Sequence, residues 1–262
     1  MKRRHFTFSC GAARLAGSVD EAPGNVGLLI VTGGNETRAG AFSGQAHLAA
    51  QTARAGYPVF RFDRRGVGDS EGQNLGFLHS APDIAAAAAA FRDECPAIEK
   101  IVAFGNCDAA SALMLSSGSG LDVLVLANPW TIESDKPVLP PQAVRARYSQ
   151  KLRNPKELLR LLSGKVSLKK LAGGLVQAIR PAPEPSGLAQ QITAGLARFD
   201  GSSIILLAER DRTAQAFEAA WNIADPRIRR CADASHAFVE PSARAWLAEQ
   251  IIETLASLTE KP

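Results

Sequence analysis

The chain has 262 residues, 46% of them hydrophobic and 21% charged, with 22 glycines and 15 prolines. Those proportions exclude a disordered chain and a collagen-like one, and the length suits one large α/β domain or two small ones. A net charge of +4 excludes a nucleic-acid binder of generally basic surface and leaves only local clustering to consider.

Lys2, Arg3 and Arg4 open the chain, but Thr7 and Ser9 follow before an apolar signal core develops, so export is not expected. Strands are predicted over 5–9 and 14–18 as an antiparallel opening pair. Further strands follow over 27–32, 58–62, 100–105, 122–127 and 202–208, with a weaker one over 227–231. Runs such as GLLIVT, VLVLA and SIILLA are nearly continuous in apolar residues, as strands covered on both faces are. Helices are predicted over 41–54, 82–95, 108–116, 213–223 and 242–258. The alanine tract 85–90 is read as a helix face packed closely on the sheet. No apolar run reaches the ~18–20 residues that span a bilayer, and no internal repeat is present.

Residues 131–200 break the alternation. They carry seven prolines between Pro137 and Pro185, short amphipathic helices over 155–162 and 168–179, and 12 basic against 5 acidic residues. The insert is therefore +7 and the rest of the chain −3. The predicted organisation is a core of residues 1–130 and 201–262, with 131–200 as a helical cap.

Four cysteines, Cys10, Cys95, Cys107 and Cys231, lack C-x-x-C spacing. Neither a zinc site nor a disulfide framework is predicted, and a reducing cytoplasm is the natural compartment. One cysteine stands apart. In Phe104-Gly105-Asn106-Cys107-Asp108-Ala109 a strand runs into G-x-C-x-A and a small-residue helix follows. This is the setting of a nucleophile elbow, G-x-S-x-G, with Cys for Ser. Gly105 and Ala109 must be small so that the tight turn does not collide with itself, and Asn106 completes the elbow. The helix N-terminus would stabilise a thiolate. Taken alone, the motif fits a small buried cysteine at a strand end better than a nucleophile, and it is the downstream partners that favour chemistry.

Downstream partners follow in the order nucleophile, acid, histidine. Asp211 follows the strand over 202–208 and His236 lies in the last loop. His236 would move the proton, and Asp211 would orient the imidazole. Asp211 could instead be a surface helix cap, with Glu209, Glu133 or Asp135 as the acid. His5, His47 and His79 lie near the terminus, in a helix and in a loop. The turn Thr32-Gly33-Gly34-Asn35 would offer an amide from Gly34 or Asn35 which, with the N–H of Asp108, forms an oxyanion hole. Asn35 and Arg38 are candidates for the entrance. The loop Phe62–Gly72 is read as structural, with an Asp63–Arg65 ion pair. Its glycine spacing fits no phosphate-binding motif.

With these motifs in place, the chain resembles the α/β-hydrolase superfamily. More narrowly, Val31-Thr-Gly-Gly-Asn-Glu-Thr-Arg-Ala-Gly, Phe104-Gly-Asn-Cys107-Asp, Asn128-Pro-Trp130 and Asp211-Arg-Thr-Ala resemble the exosortase A system-associated hydrolases, type 1, of bacterial exopolysaccharide loci. The resemblance implies an eight-stranded, mostly parallel sheet with helices on both faces, a cap after the sixth strand, acyl-group hydrolysis or transfer, and no metal or organic cofactor. It departs from the common serine elbow, which points away from ordinary lipase chemistry and towards lactones, thioesters and esters with good leaving groups.

Two further answers stay open, an acyltransferase at the same site and a retired hydrolase that only binds. Lys151, Arg153, Lys156, Arg160, Lys165, Lys169 and Lys170 make the cap basic. Acyl carrier protein or coenzyme A would be drawn to that charge. A solvated helix face or an acidic membrane surface explains it too. Trp130, Val138, Leu139 and Tyr148 are candidates for the pocket wall.

Overall fold

The computed structural model describes residues 2–118, 120–133 and 187–259. Eight strands form one sheet. They are β1 (Arg3–Cys10), β2 (Ala13–Asp20), β3 (Val26–Val31), β4 (Val59–Phe62), β5 (Lys100–Asn106), β6 (Val123–Ala127), β7 (Ser202–Ala208) and β8 (Ile228–Cys231). Their order is β1-β2-β4-β3-β5-β6-β7-β8. Antiparallel pairing joins β1 to β2 and β2 to β4, and every other pair is parallel. All predicted strands are present, with ends displaced by at most two residues.

Every residue of β3, β4 and β6 is buried, because helices cover both faces of the sheet. Side-chain alternation divides the core in two. Leu29 and Val31 of β3 join Ala87 and Phe91 of α2 (Ala81–Glu94), Leu113 of α3 (Asp108–Leu115) and Ile192. Leu28 and Ile30 point the other way, onto Leu48 of α1 (Gly44–Arg54) and onto Leu247 and Ile251 of the C-terminal helix Pro241–Thr259. Each such fully buried aliphatic side chain contributes about 1.5–3 kcal/mol of transfer free energy. The alanines of α2 do pack on the sheet, with Ala87 and Ala88 buried.

The helices differ from expectation at three places. Residues 41–43 form a 3₁₀ turn rather than the first turn of α1, because Phe42 and Ser43 sit in the left-handed region at φ 52° and 57°. Helix α5 (Arg212–Ala220) stops short of Ile223. There the side chain of Asn222 accepts from the Ala224 N–H and that of Asp225 from the Arg227 N–H, so local turns replace helical bonds. Third, α4 (Gly187–Ala197) was not expected at all. It lies within the stretch read as the cap, yet Leu188, Ile192 and Leu196, one turn apart, join the same core cluster as α3. Gly195 has no side chain to collide with the Met114 carbonyl, and that lets α4 lie close on α3. The predicted helices over 155–162 and 168–179, the basic residues from Lys151 to Lys170, and Val138, Leu139 and Tyr148 are outside the described residues. Among the described residues no helix is long and apolar enough to cross a membrane.

Candidate active site

In this strand order the connection leaving β3 runs to β4 on one side, and the connection leaving β5 runs to β6 on the other. The loops leaving the carboxyl ends there diverge and open a crevice, where open α/β sheets bind ligands. Cys107 sits at its base, between β5 and α3, with φ 63° and ψ −126°. A non-glycine residue in that region is strained, and the surroundings hold it there. The Cys107 N–H donates to the Ala127 carbonyl at 2.9 Å, and the Trp130 N–H donates to the Cys107 carbonyl at 3.3 Å. A Cβ on Gly105 would lie 2.8 Å from the backbone carbon of Ala109 and the nitrogen of Ala110. Ala109 itself is fully buried. Close approach thus requires the small residue at Gly105.

The loop after β8 brings His236 to the same place. Its Nδ1 lies 2.8 Å from Oδ2 of Asp211, and the ring lies near enough to the Cys107 side chain for the two to interact. Asp211 is buried, and its Oδ2 also accepts from the Ala214 N–H at 3.2 Å, capping α5. The two readings of Asp211 are therefore compatible, although the residue is not at the surface. Of the other acids, Glu209 is exposed and Glu133 accepts from the Leu188 N–H, while Asp135 lies outside the described residues. His5 pairs instead with Ser18 at 2.7 Å, at the far edge of the sheet.

The hydrogen bond to Asp211, and after it the one to Cys107, push the His236 pKa up to about 10 against the opposing effect of burial. Because the folded protein binds this proton more tightly than the unfolded chain, the resulting stability is complete below the ordinary histidine value of ~6.5. It is lost as pH rises through about 10. The imidazole is partly exposed, so solvent moderates the size of the effect. Urea melts of the wild type and His236→Ala should therefore differ most near about pH 6 and converge by about pH 10–11. A gap that widens with pH would contradict this assignment.

Asn128 positions the His236 loop, a role the sequence reading missed. It is fully buried at the end of β6 with φ 43°. Its Nδ2 donates to Asn106 Oδ1 at 3.0 Å and to the His236 carbonyl at 3.2 Å, and its Oδ1 accepts from the Ala208 N–H at 2.9 Å. Asn106 Nδ2 donates to the same His236 carbonyl at 3.0 Å. The elbow, β6, β7 and the histidine loop are thereby tied together. The available signal was an asparagine ending an apolar strand and preceding a proline, where Asn tolerates left-handed backbone.

The oxyanion-hole expectation needs correction at Gly34. Its N–H is not open, because it donates to Asp108 Oδ1 at 2.7 Å. The turn can press against the elbow because Gly33 lacks a side chain; a Cβ there would lie 2.8 Å from both Asn106 O and Asp108 Oδ1. The Asn35 side chain is held by Asn74 Nδ2 at 2.8 Å. The Asp108 N–H, in the first turn of α3, has no partner within its own helix.

Three arginines are also placed otherwise than expected. Arg65 pairs with Asp83 at 3.1 Å rather than with Asp63. Asp63, fully buried, is bound by Arg38, which also reaches Asp69 at 3.0 Å and Ser18 Oγ at 3.0 Å. Arg38 thus braces two loops instead of lining an entrance. Arg64, taken as part of a structural loop, is buried and reaches the site: it donates to Ser80 Oγ at 3.1 Å, to the Gly34 carbonyl, and to Asp108 Oδ2 at 3.3 Å. Trp130 packs against the core and donates to the Ile132 carbonyl at 2.7 Å. Among the described residues no group of three His, Cys, Asp or Glu side chains could hold a metal ion.

Residues 28–250 match the model of the alpha/beta hydrolase family. The chain belongs to that family and is a hydrolase of that type. Solved structures agree on the fold. An esterase of Pyrococcus furiosus is 14% identical with a TM-score of 0.62, covering 98% of this chain and 90% of its own. The dienelactone hydrolase of Anabaena variabilis is 14% identical with a TM-score of 0.60, covering 96% and 95%. The proline iminopeptidase of Mycobacterium smegmatis is 16% identical with a TM-score of 0.58, covering 98% and 100%. No curated protein sequence matches.

Proposed function

We propose that the protein hydrolyses activated esters or thioesters through an acyl-enzyme on Cys107, with His236 as proton carrier and Asp211 as the acid that orients it. The supporting observation is that one imidazole is hydrogen-bonded to a buried carboxylate and lies beside the elbow cysteine at the base of the crevice. The sulfur attacks the acyl carbon as the C=O electron pair moves to oxygen. Collapse expels the alcohol or thiol, which takes its proton from His236. Water then gives a proton to His236 and attacks the thioester, releasing the acid and restoring the sulfur. Thioesters and lactones suit this site because the intermediate is itself a thioester and exchange with it is close to balanced.

The motif strings around Val31, Cys107, Asn128 and Asp211 support a narrower placement beside the exosortase A system-associated hydrolases, with work in exopolysaccharide metabolism in the cytoplasm. The basic residues from Lys151 to Lys170 support an acyl carrier protein or coenzyme A thioester as the acyl donor. Intact-mass measurement after incubation with a panel of activated esters and thioesters tests the central step. One acyl group per chain is expected, absent in Cys107→Ala. An adduct that survives Cys107→Ala, or none with any member of the panel, would sink the proposal.

A further inference from the structure

The carboxylate of Asp108, the residue after the elbow cysteine, sits on an N–H donor of the turn after β3. Tetrahedral intermediates are stabilised by N–H groups aimed at the reacting oxygen, and the turn after β3 offers the Gly34 N–H for that purpose. Asp108 Oδ1 already accepts that N–H at 2.7 Å. Its other oxygen, Oδ2, lies 3.3 Å from Nη2 of Arg64. Arg64 is buried and fixed by Ser80 Oγ and the Gly34 carbonyl, so its cation is held at one place beside the turn. Gly33 completes the arrangement, since any side chain there would meet Asp108 Oδ1. A carboxylate on the donor has two effects: it occupies the N–H, and its negative charge opposes a second negative charge in the same small space.

We propose that Asp108 is a substrate-operated latch on the oxyanion donor, and that Arg64 is the alternative seat for its carboxylate. At rest the carboxylate bridges the Gly34 N–H and Arg64. When the sulfur of Cys107 adds to a carbonyl carbon, the C–S bond forms and the C=O electron pair passes to oxygen. That oxygen takes the Gly34 N–H, and the carboxylate turns fully onto Arg64. Asp108 is thus a positioning residue acting through Gly34. The latch selects electrophiles whose oxygen becomes strongly basic on addition, because only those outcompete a carboxylate for the donor.

This inference rests on Cys107 being the nucleophile, so the experiment reads the two separately. A trifluoromethyl ketone adds to a thiol and leaves its oxygen as a stable oxyanion mimic, without turnover. Its affinity is measured for the wild type, Asp108→Asn, Asp108→Ala and Arg64→Gln, each checked by a thermal melt. Iodoacetamide alkylation of Cys107, which needs no oxyanion, is measured on the same samples. A charge-assisted hydrogen bond corresponds to roughly one to two powers of ten in an equilibrium constant. The latch therefore predicts ketone affinity rising about 10-fold or more in Asp108→Ala, with Asp108→Asn between that and the wild type. Arg64→Gln should bind more weakly than the wild type, and alkylation should change less than about threefold throughout.

A purely structural Asp108 gives the opposite order, with the wild type binding best and Asp108→Ala worst. That order, or equal affinities, overturns the latch even if Arg64→Gln fails to fold. Slow alkylation of Cys107 in the wild type counts against the nucleophile, and ketone binding that persists without Cys107 overturns both readings.

Discussion

Replacing His236 by alanine is expected to lower kcat/KM for an activated ester by about 10²–10⁴, the usual worth of a positioned acid–base group. The same variant should slow iodoacetamide labelling of Cys107 while leaving the other three cysteines at their own rates. In the folded protein the imidazole pairs with Asp211 beside the sulfur, and its proton is held up to about pH 10. His236 is the positioned proton carrier next to Cys107, and alanine removes it. The remaining cysteines make an internal control. Burial pushes the thiols of Cys10, Cys95 and Cys231 up from the ordinary range, so each should react slowly at neutral pH with or without His236. Peptide mapping of the labelled protein at short times distinguishes the sites. If Cys107 reacts no faster than Cys95, or equally fast in His236→Ala, the imidazole has no chemical role towards the sulfur.

How far the site could be read in advance depended on how local each feature was. The strands were legible because β3, β6 and β7 are apolar runs between turn residues, and burial on both faces demands that composition. Gly105 was legible for a similar reason, since the collision it avoids is local, with the backbone of Ala109 and Ala110. The order of Cys107, Asp211 and His236 carried over from the motif. What escaped depended on contacts between distant segments. Arg64 and Arg65 are adjacent, and nothing local says that one turns towards Asp108 and the other towards Asp83, 44 and 18 residues away. Asn128 bonds to Asn106 and to the His236 backbone, 22 and 108 residues off. Helix α4 was hidden by the prolines before it, although its Leu188, Ile192 and Leu196 repeat at helical spacing. At Gly34 the turn was read correctly, but the Asp108 side chain competing for its amide was not.

Asp211 allows the last separation, because one oxygen does two jobs. Oδ2 accepts from His236 at 2.8 Å and from the first turn of α5 at 3.2 Å. Asparagine caps helices about as well as aspartate, whereas alanine does not, at a typical cost of about 1 kcal/mol. Asp211→Asn should therefore melt close to the wild type while Asp211→Ala melts lower. Activity should not follow stability. An amide cannot hold the charged imidazole as a carboxylate does, and its NH₂ group can present a donor to Nδ1, favouring the wrong tautomer. In the serine-protease arrangement that exchange costs about 10⁴ in kcat. A comparable loss is expected here in both variants, with ester hydrolysis and urea melts measured on the same preparations. The His236 pKa should also fall in Asp211→Asn, because the hydrogen bond to Asp211 is the largest of the effects that raise it. The pH-dependent part of the stability would then end well below pH 10. Activity that tracks melting temperature across the two variants would assign Asp211 to the helix cap alone, and the acid of the site would have to be sought elsewhere.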